Sequence, residues 1–175
     1  MPQQKILIVI AYTGYQPIEY QIPKKTLEQA GFKVITASNK LGTATASNGS
    51  QTNIDLTLEQ ASAQDYAAII FVGGPGTLDN LDNPKSYQLI NQVSHLGILI
   101  GAICIAPRIL ASAGILSNVA ATGWDDDNQL TDIYNEYGAI YYQVPVVNDQ
   151  RIITANGPHA AQEFADMIVS ELNKK

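Results

Sequence analysis

The sequence predicts an α/β fold in which a mostly parallel sheet is covered by helices on both faces. Two observations carry it: apolar runs rich in β-branched residues recur at residues 6–11, 34–37, 67–72 and 98–102, and stretches of helical spacing lie between them. Such alternation sandwiches one buried sheet between two helical layers. The chain has 175 residues, 46% of them hydrophobic, which is the size and apolar content of one ordinary domain, so a single domain over residues 1–175 is expected.

After the first strand, Ile18, Ile22, Leu27 and Ala30 fall on one helical face, and Gly31 follows as a C-terminal stop. Pro23 within that stretch implies a kink or a first-turn start. Residues 41–54, a run of Thr, Ser, Asn and Gly, read as a hairpin beside the main sheet, and residues 56–61 as a short helix. The strand ending at Val72 runs into Gly73-Gly74-Pro75-Gly76, and Asp82-Asn83-Pro84 opens a helix through His95. Residues 105–113 read as a helix stopped by Gly114. Residues 119–122 follow as a short strand and 123–127 as an acidic loop. Residues 144–147 and 151–154 form a hairpin around Asn148-Asp149-Gln150, and a last helix covers 159–172.

The formal charge of −6, with only ten Lys and Arg, excludes a nucleic-acid partner, because phosphate binding needs a basic face. The first apolar run is far too short to span a membrane and shows no signal-peptide cleavage pattern, so a cytoplasmic location without membrane contact is expected. With one cysteine and two histidines no internal disulfide and no Cys/His metal cluster is expected.

The chemistry therefore turns on Cys104. Composition leaves it open between an inert buried cysteine and a reactive thiol. Its position favours the second: it stands between a buried strand and the helix that follows, a nucleophile elbow that aims a side chain into the crevice where open α/β sheets bind ligands. A helix N-terminus favours thiolate, and the backbone N–H of Ile105 is placed to hold an oxyanion. Gly73 and Gly74, directly after a parallel strand, are either a plain turn or a ligand-facing backbone loop.

Ala102-Ile103-Cys104 with Pro107 and Gly114 resembles the nucleophile segment of the ThiJ/PfpI superfamily, which includes deglycases and proteases. Residues 18–23, Gly73-Gly74 and Gly157-Pro158 stand in the same order and approximate spacing, so the resemblance covers nearly the whole chain. It implies a flavodoxin-like three-layer sandwich, no cofactor, and a homodimer. It assigns Glu19 as the proton partner of Cys104, and Gly73 and Gly74 as the oxyanion loop. A carboxyl beside a thiolate must be protonated or raise the thiolate's energy, so the pair should titrate as a unit. Without the resemblance, Glu19 would read as a solvated residue at a helix start.

Two departures matter. The protease branch has histidine directly after the cysteine, where this chain has Ile105, and the deglycase branch has one about twenty residues on, where counting reaches Trp124. His95 precedes the strand leading to Cys104 and reads as a surface residue at the other end of the sheet. His159 follows Gly157-Pro158, a segment that in the family's dimers approaches the partner's cysteine; it is therefore either a first-turn residue of the last helix or a group reaching Cys104 across the interface. Trp124, Pro158, His159 and Tyr12 are candidate pocket residues, with Tyr141 and Tyr142 less well placed. Asp125, Asp126 and Asp127 read as a solvated loop rather than a cation site.

The expected function is a cysteine-dependent enzyme acting on a small-molecule electrophile, of the glyoxalase or deglycase kind on 2-oxoaldehydes. The alternative is a redox-sensing or protective protein whose cysteine is oxidised to sulfinic acid. Isonitrile hydration and peptide hydrolysis rank lower.

Overall fold

The computed structural model describes residues 3–174. The first half of the chain forms β1 (Lys5–Val9), β2 (Thr13–Tyr15), α1 (Pro17–Gln29), β3 (Lys33–Ser38), β4 (Gly42–Ala46), β5 (Gln51–Ile54), β6 (Leu56–Thr57), β7 (Ala68–Phe71), α2 (Thr77–Leu81) and α3 (Pro84–Leu96). The second half adds β8 (Leu99–Ile103), α4 (Pro107–Ser112), β9 (Ala120–Ala121), α5 (Leu130–Tyr137), β10 (Ile140–Tyr141), β11 (Val146–Asp149), β12 (Ile152–Ala155) and α6 (Ala161–Asn173). A seven-stranded sheet runs in the order β11-β12-β8-β7-β1-β3-β6, and only the β11–β12 pairing is antiparallel. This is the α/β sandwich expected from the alternating pattern.

Continuous apolar strands follow from burial on both faces. Along β1, Leu7 and Val9 enter one core with residues of α3, α4 and α5, while Ile6 and Ile8 enter the other with Phe164 and Ile168 of α6. Period-2 alternation therefore separates two apolar sets rather than apolar from polar, which is why the runs carry no polar face. At the sheet's centre, Gly101 of β8 lets α6 lie close: a β-carbon there would fall 2.9 Å from Phe164 Cζ and 3.3 Å from Ile168 Cδ1.

Several local expectations change. Residues 56–61 are not a helix: Leu56 and Thr57 extend the edge of the sheet beside Ala37 and Ser38, and one 3-10 turn follows. The hairpin of β4 and β5 is present, but it joins β2 in a separate three-stranded sheet. The second hairpin turns later than its Asn and Asp residues suggest. Asn148 and Asp149 remain paired with Ile153 and Ile152, and the turn falls at Gln150 and Arg151, both with positive φ. Asp149 is kept in the strand because its carboxylate accepts the Ala120 N–H at 2.8 Å. The helix after Cys104 begins at Pro107 rather than at Ile105. α5 and β10 were not anticipated; β10 pairs parallel with β9 over two residues, a contact that no local pattern announces.

Replacing Gly101 by valine should destabilise the protein by about 1–3 kcal/mol, because the added methyls drive into Phe164 and Ile168. A denaturant midpoint unchanged from wild type would show that α6 is not held against β8 as described.

Candidate active site

β8 ends at Ile103, and the chain must reverse within a few residues to begin α4. The reversal is made at Cys104, whose φ of 64° lies in the left-handed region that a residue with a β-carbon occupies at a cost of about 1–2 kcal/mol. Both of its peptide groups are held: Cys104 N–H donates to Ala155 O at 2.9 Å, and Cys104 O accepts from Trp124 N–H at 2.8 Å. The conformation is thus fixed from the ends of β12 and of the loop after β9.

Glu19 arrives from the other side. Gln16 caps α1 by accepting the Ile18 N–H at 3.1 Å, and its own N–H donates to Gly73 O at 2.8 Å, which fixes the first turn of the helix against the end of β7. Glu19, in that turn, is fully buried, and its Oε2 accepts the Gly73 N–H at 3.0 Å. Its Oε1 is sealed from solvent without a hydrogen-bond partner. Burial, opposed in part by the contact with Cys104 and the Gly73 hydrogen bond, pushes the Glu19 carboxyl up from 4.5 to about 7.

The three groups meet with no space between them. A β-carbon on Gly73 would lie 2.6 Å from Cys104 Cβ and 2.7 Å from Glu19 Oε2. Gly74, at φ 133°, is equally constrained, since a β-carbon would stand 2.4 Å from Gly14 O. Burial and then the negative charge of Glu19 push the Cys104 thiol well above its ordinary value, while the N–H groups of Ile105 and Gly74 act in the opposite direction. A thiol already ionised by the following helix is therefore not what the site provides. α4 is short and starts three residues past the cysteine, and burial next to a carboxyl outweighs it. Two negative charges in this space are disfavoured, so the pair shares a proton.

A crevice of about 890 Å³ opens above the sulfur, lined by Glu19, Gly74, Cys104, Ile105, Trp124 and the 156–160 segment among others. Of the residues expected here, Trp124, Pro158 and His159 do line it. His159 does so within its own chain, with no partner needed to bring it there. Gly73 has no free N–H to offer an oxyanion, because Glu19 takes it, whereas Gly74 and Ile105 direct theirs at the sulfur. Tyr12 is outside the lining and stacks its ring under Lys40 at 5.7 Å. Tyr141 packs edge-on against Tyr134 and donates to Asp125 at 3.3 Å instead. His95 lies at the C-terminal end of α3 beside a different cavity, with Ser62 and Gln88.

One contributor escaped the sequence reading. Arg108, only 7% exposed, donates to both carboxylate oxygens of Asp127 at 2.9 and 2.7 Å and to Trp124 O at 3.2 Å, and its guanidinium lies 5.3 Å from the Trp124 ring centre. It fastens the loop carrying Trp124 to α4. The only signal was an arginine in an otherwise apolar helix upstream of three aspartates.

The DJ-1/PfpI family profile matches residues 4–171. An uncharacterized protein of Methanocaldococcus jannaschii is 31% identical over 99% of this chain and 85% of its own length. A glutathione-independent glyoxalase of Caenorhabditis elegans is 29% identical over 97% of this chain and 89% of its own. Among solved structures, a ThiJ/PfpI domain protein from Brachyspira murdochii superposes with a TM-score of 0.91 at 30% identity, covering 98% of each chain. With that profile spanning nearly every described residue and the fold shared end to end, the chain belongs to the DJ-1/PfpI family.

Proposed function

We propose that the chain is a cysteine-dependent, cofactor-independent enzyme of the glyoxalase kind, converting 2-oxoaldehydes such as methylglyoxal to 2-hydroxy acids. The observation that carries this reading is the contact of Cys104 with a carboxyl, on a residue that borders the crevice, whose second oxygen is buried without a hydrogen-bond partner. Such an oxygen is satisfied when it holds a proton that it can donate toward sulfur or toward a substrate oxygen. The glyoxalase among the relatives supports the same class of reaction.

The steps follow from one shared proton. The Glu19 carboxylate takes the thiol proton, the sulfur adds to the aldehyde carbon, and the same proton passes on to the carbonyl oxygen, giving a hemithioacetal and the Glu19 carboxylate again. That carboxylate removes the hydrogen from the carbon bearing sulfur, and the electron pair moves onto the neighbouring ketone to form an enediolate. Glu19 returns the proton to the former ketone carbon, and the enediolate hydroxyl proton passes to the adjacent oxygen, leaving a thioester of the 2-hydroxy acid. Water hydrolyses the thioester and restores the thiol. The N–H groups of Gly74 and Ile105 hold negative charge on the sulfur before addition. Peptide hydrolysis finds less support, since Ile105 offers no proton acceptor beside the nucleophile.

A second reading rests on the same oxygen. A protonated Glu19 would also donate to a sulfinate formed by oxidation of Cys104, making the chain a redox sensor or protective protein. The two readings separate on turnover. With methylglyoxal, wild type should form lactate, Cys104→Ser should lose at least about a thousandfold in kcat/KM, and Glu19→Gln about a hundredfold or more. Equal, background-level lactate formation by wild type and Cys104→Ser would leave the oxidised-thiol reading in its place.

Stability should also report the state of Glu19. Its folded value of about 7 lies above the unfolded value near 4.5, so the folded protein holds this proton more tightly. The neutral carboxyl's contribution is complete below pH 4.5 and is lost as pH rises through about 7, a difference of about 3 kcal/mol. Thermal unfolding of wild type should weaken across that window, and the Glu19→Gln variant should show a flatter profile. Parallel profiles for the two proteins would mean that Glu19 is already ionised in the fold.

A further inference from the structure

The charges around the Cys104 crevice are of one sign. Its lining includes the carboxyl side chains of Glu19, Asp126 and Glu163 and, among the described residues, no lysine or arginine; His159 is the one lining group able to carry positive charge. Arg108 lies close in sequence but supplies no free cation, because it is 7% exposed, its two terminal nitrogens donate to Asp127 and to the Trp124 carbonyl, and its Nε is buried. The rest of the wall is largely apolar, with Ile105, Trp124, Pro145, Pro158 and Ala160. Apolar walls lower the local dielectric and strengthen the field of the carboxylates at the sulfur. Beneath it, the fully buried Glu19 borders the same crevice, its Oε1 sealed from solvent and without a hydrogen-bond partner.

We infer that this crevice admits uncharged or cationic carbonyl compounds and turns away anionic ones, so that 2-oxo carboxylates and phosphorylated aldehydes are excluded as substrates. An entering anion would give up its hydration, meet Asp126 and Glu163 at the mouth, and find no guanidinium or ammonium to replace the lost water. A neutral 2-oxoaldehyde meets no such barrier. The inference deepens the glyoxalase reading and rests on Cys104 being the nucleophile, yet its test does not require turnover.

The test compares alkylation of Cys104 in the full chain by iodoacetamide and by iodoacetate, which share a leaving group and differ in charge. Each rate is divided by the rate of the same reagent with 2-mercaptoethanol, at pH 8 and low salt. The neutral reagent should be favoured over the anionic one by about tenfold more than with the free thiol, and the excess should shrink in molar salt as the field is screened. Asp126→Asn combined with Glu163→Gln should bring it most of the way back to the reference ratio. A reactive Cys104 with an excess below about threefold, or an excess untouched in the double variant, overturns the charge selection alone. A Cys104 inert to both reagents overturns the nucleophile reading and the selection with it.

Discussion

The site depends on the approach of one backbone N–H, that of Gly73, to the Glu19 carboxylate, in a space that holds the cysteine β-carbon as well. That approach requires a residue without a side chain at the end of β7, a helix whose first turn is pinned to the same peptide by Gln16, and an elbow that brings Cys104 forward from β8. Remove the β-carbon constraint and the three chain segments need not converge. With it, the carboxyl is stripped of water and left with a single donor, which is what raises its affinity for a proton.

Burial decides the electrostatics in a direction opposite to that drawn from the elbow alone. A strand-to-helix junction suggests a thiolate favoured by a helix terminus. α4 is too short, and the neighbouring carboxyl too close, for that effect to prevail. What the site offers is a proton held between an acid and a thiol, whose location changes with the charge on sulfur. A group of this kind acts as acid and base in turn without drawing on bulk water.

The legible parts of the sequence were those written in local pattern. Strand runs with both faces buried, glycines after β7, and a cysteine between strand and helix all leave marks over a few residues, and Glu19 became legible through the order of motifs around it. What escaped was set by distant pairing. β10 exists because two residues pair with β9, whereas α5 does carry Leu130, Ile133, Tyr134 and Tyr137 at helical spacing against the core but is only eight residues long and has no side-chain cap to mark its start. The Arg108–Asp127 pair joins residues whose sequence contexts, an apolar helix and an acidic loop, point separately to different roles. Tyr12 was misplaced because its strand end looked like crevice, whereas its backbone N–H binds Asn39 and its ring covers Lys40.

The elbow's two backbone hydrogen bonds have a consequence for timing. Cys104 is tied through N–H to β12 and through C=O to the Trp124 loop, so its left-handed conformation is imposed by these two segments rather than by anything that binds. The entropy of orienting the sulfur is surrendered once, when the chain folds, and not again at each encounter. The orientation of this thiol therefore depends on β12 and on the Trp124 loop together: a solvent or temperature that loosens β12 from β8 would disorient the sulfur at the same moment that it exposes the core.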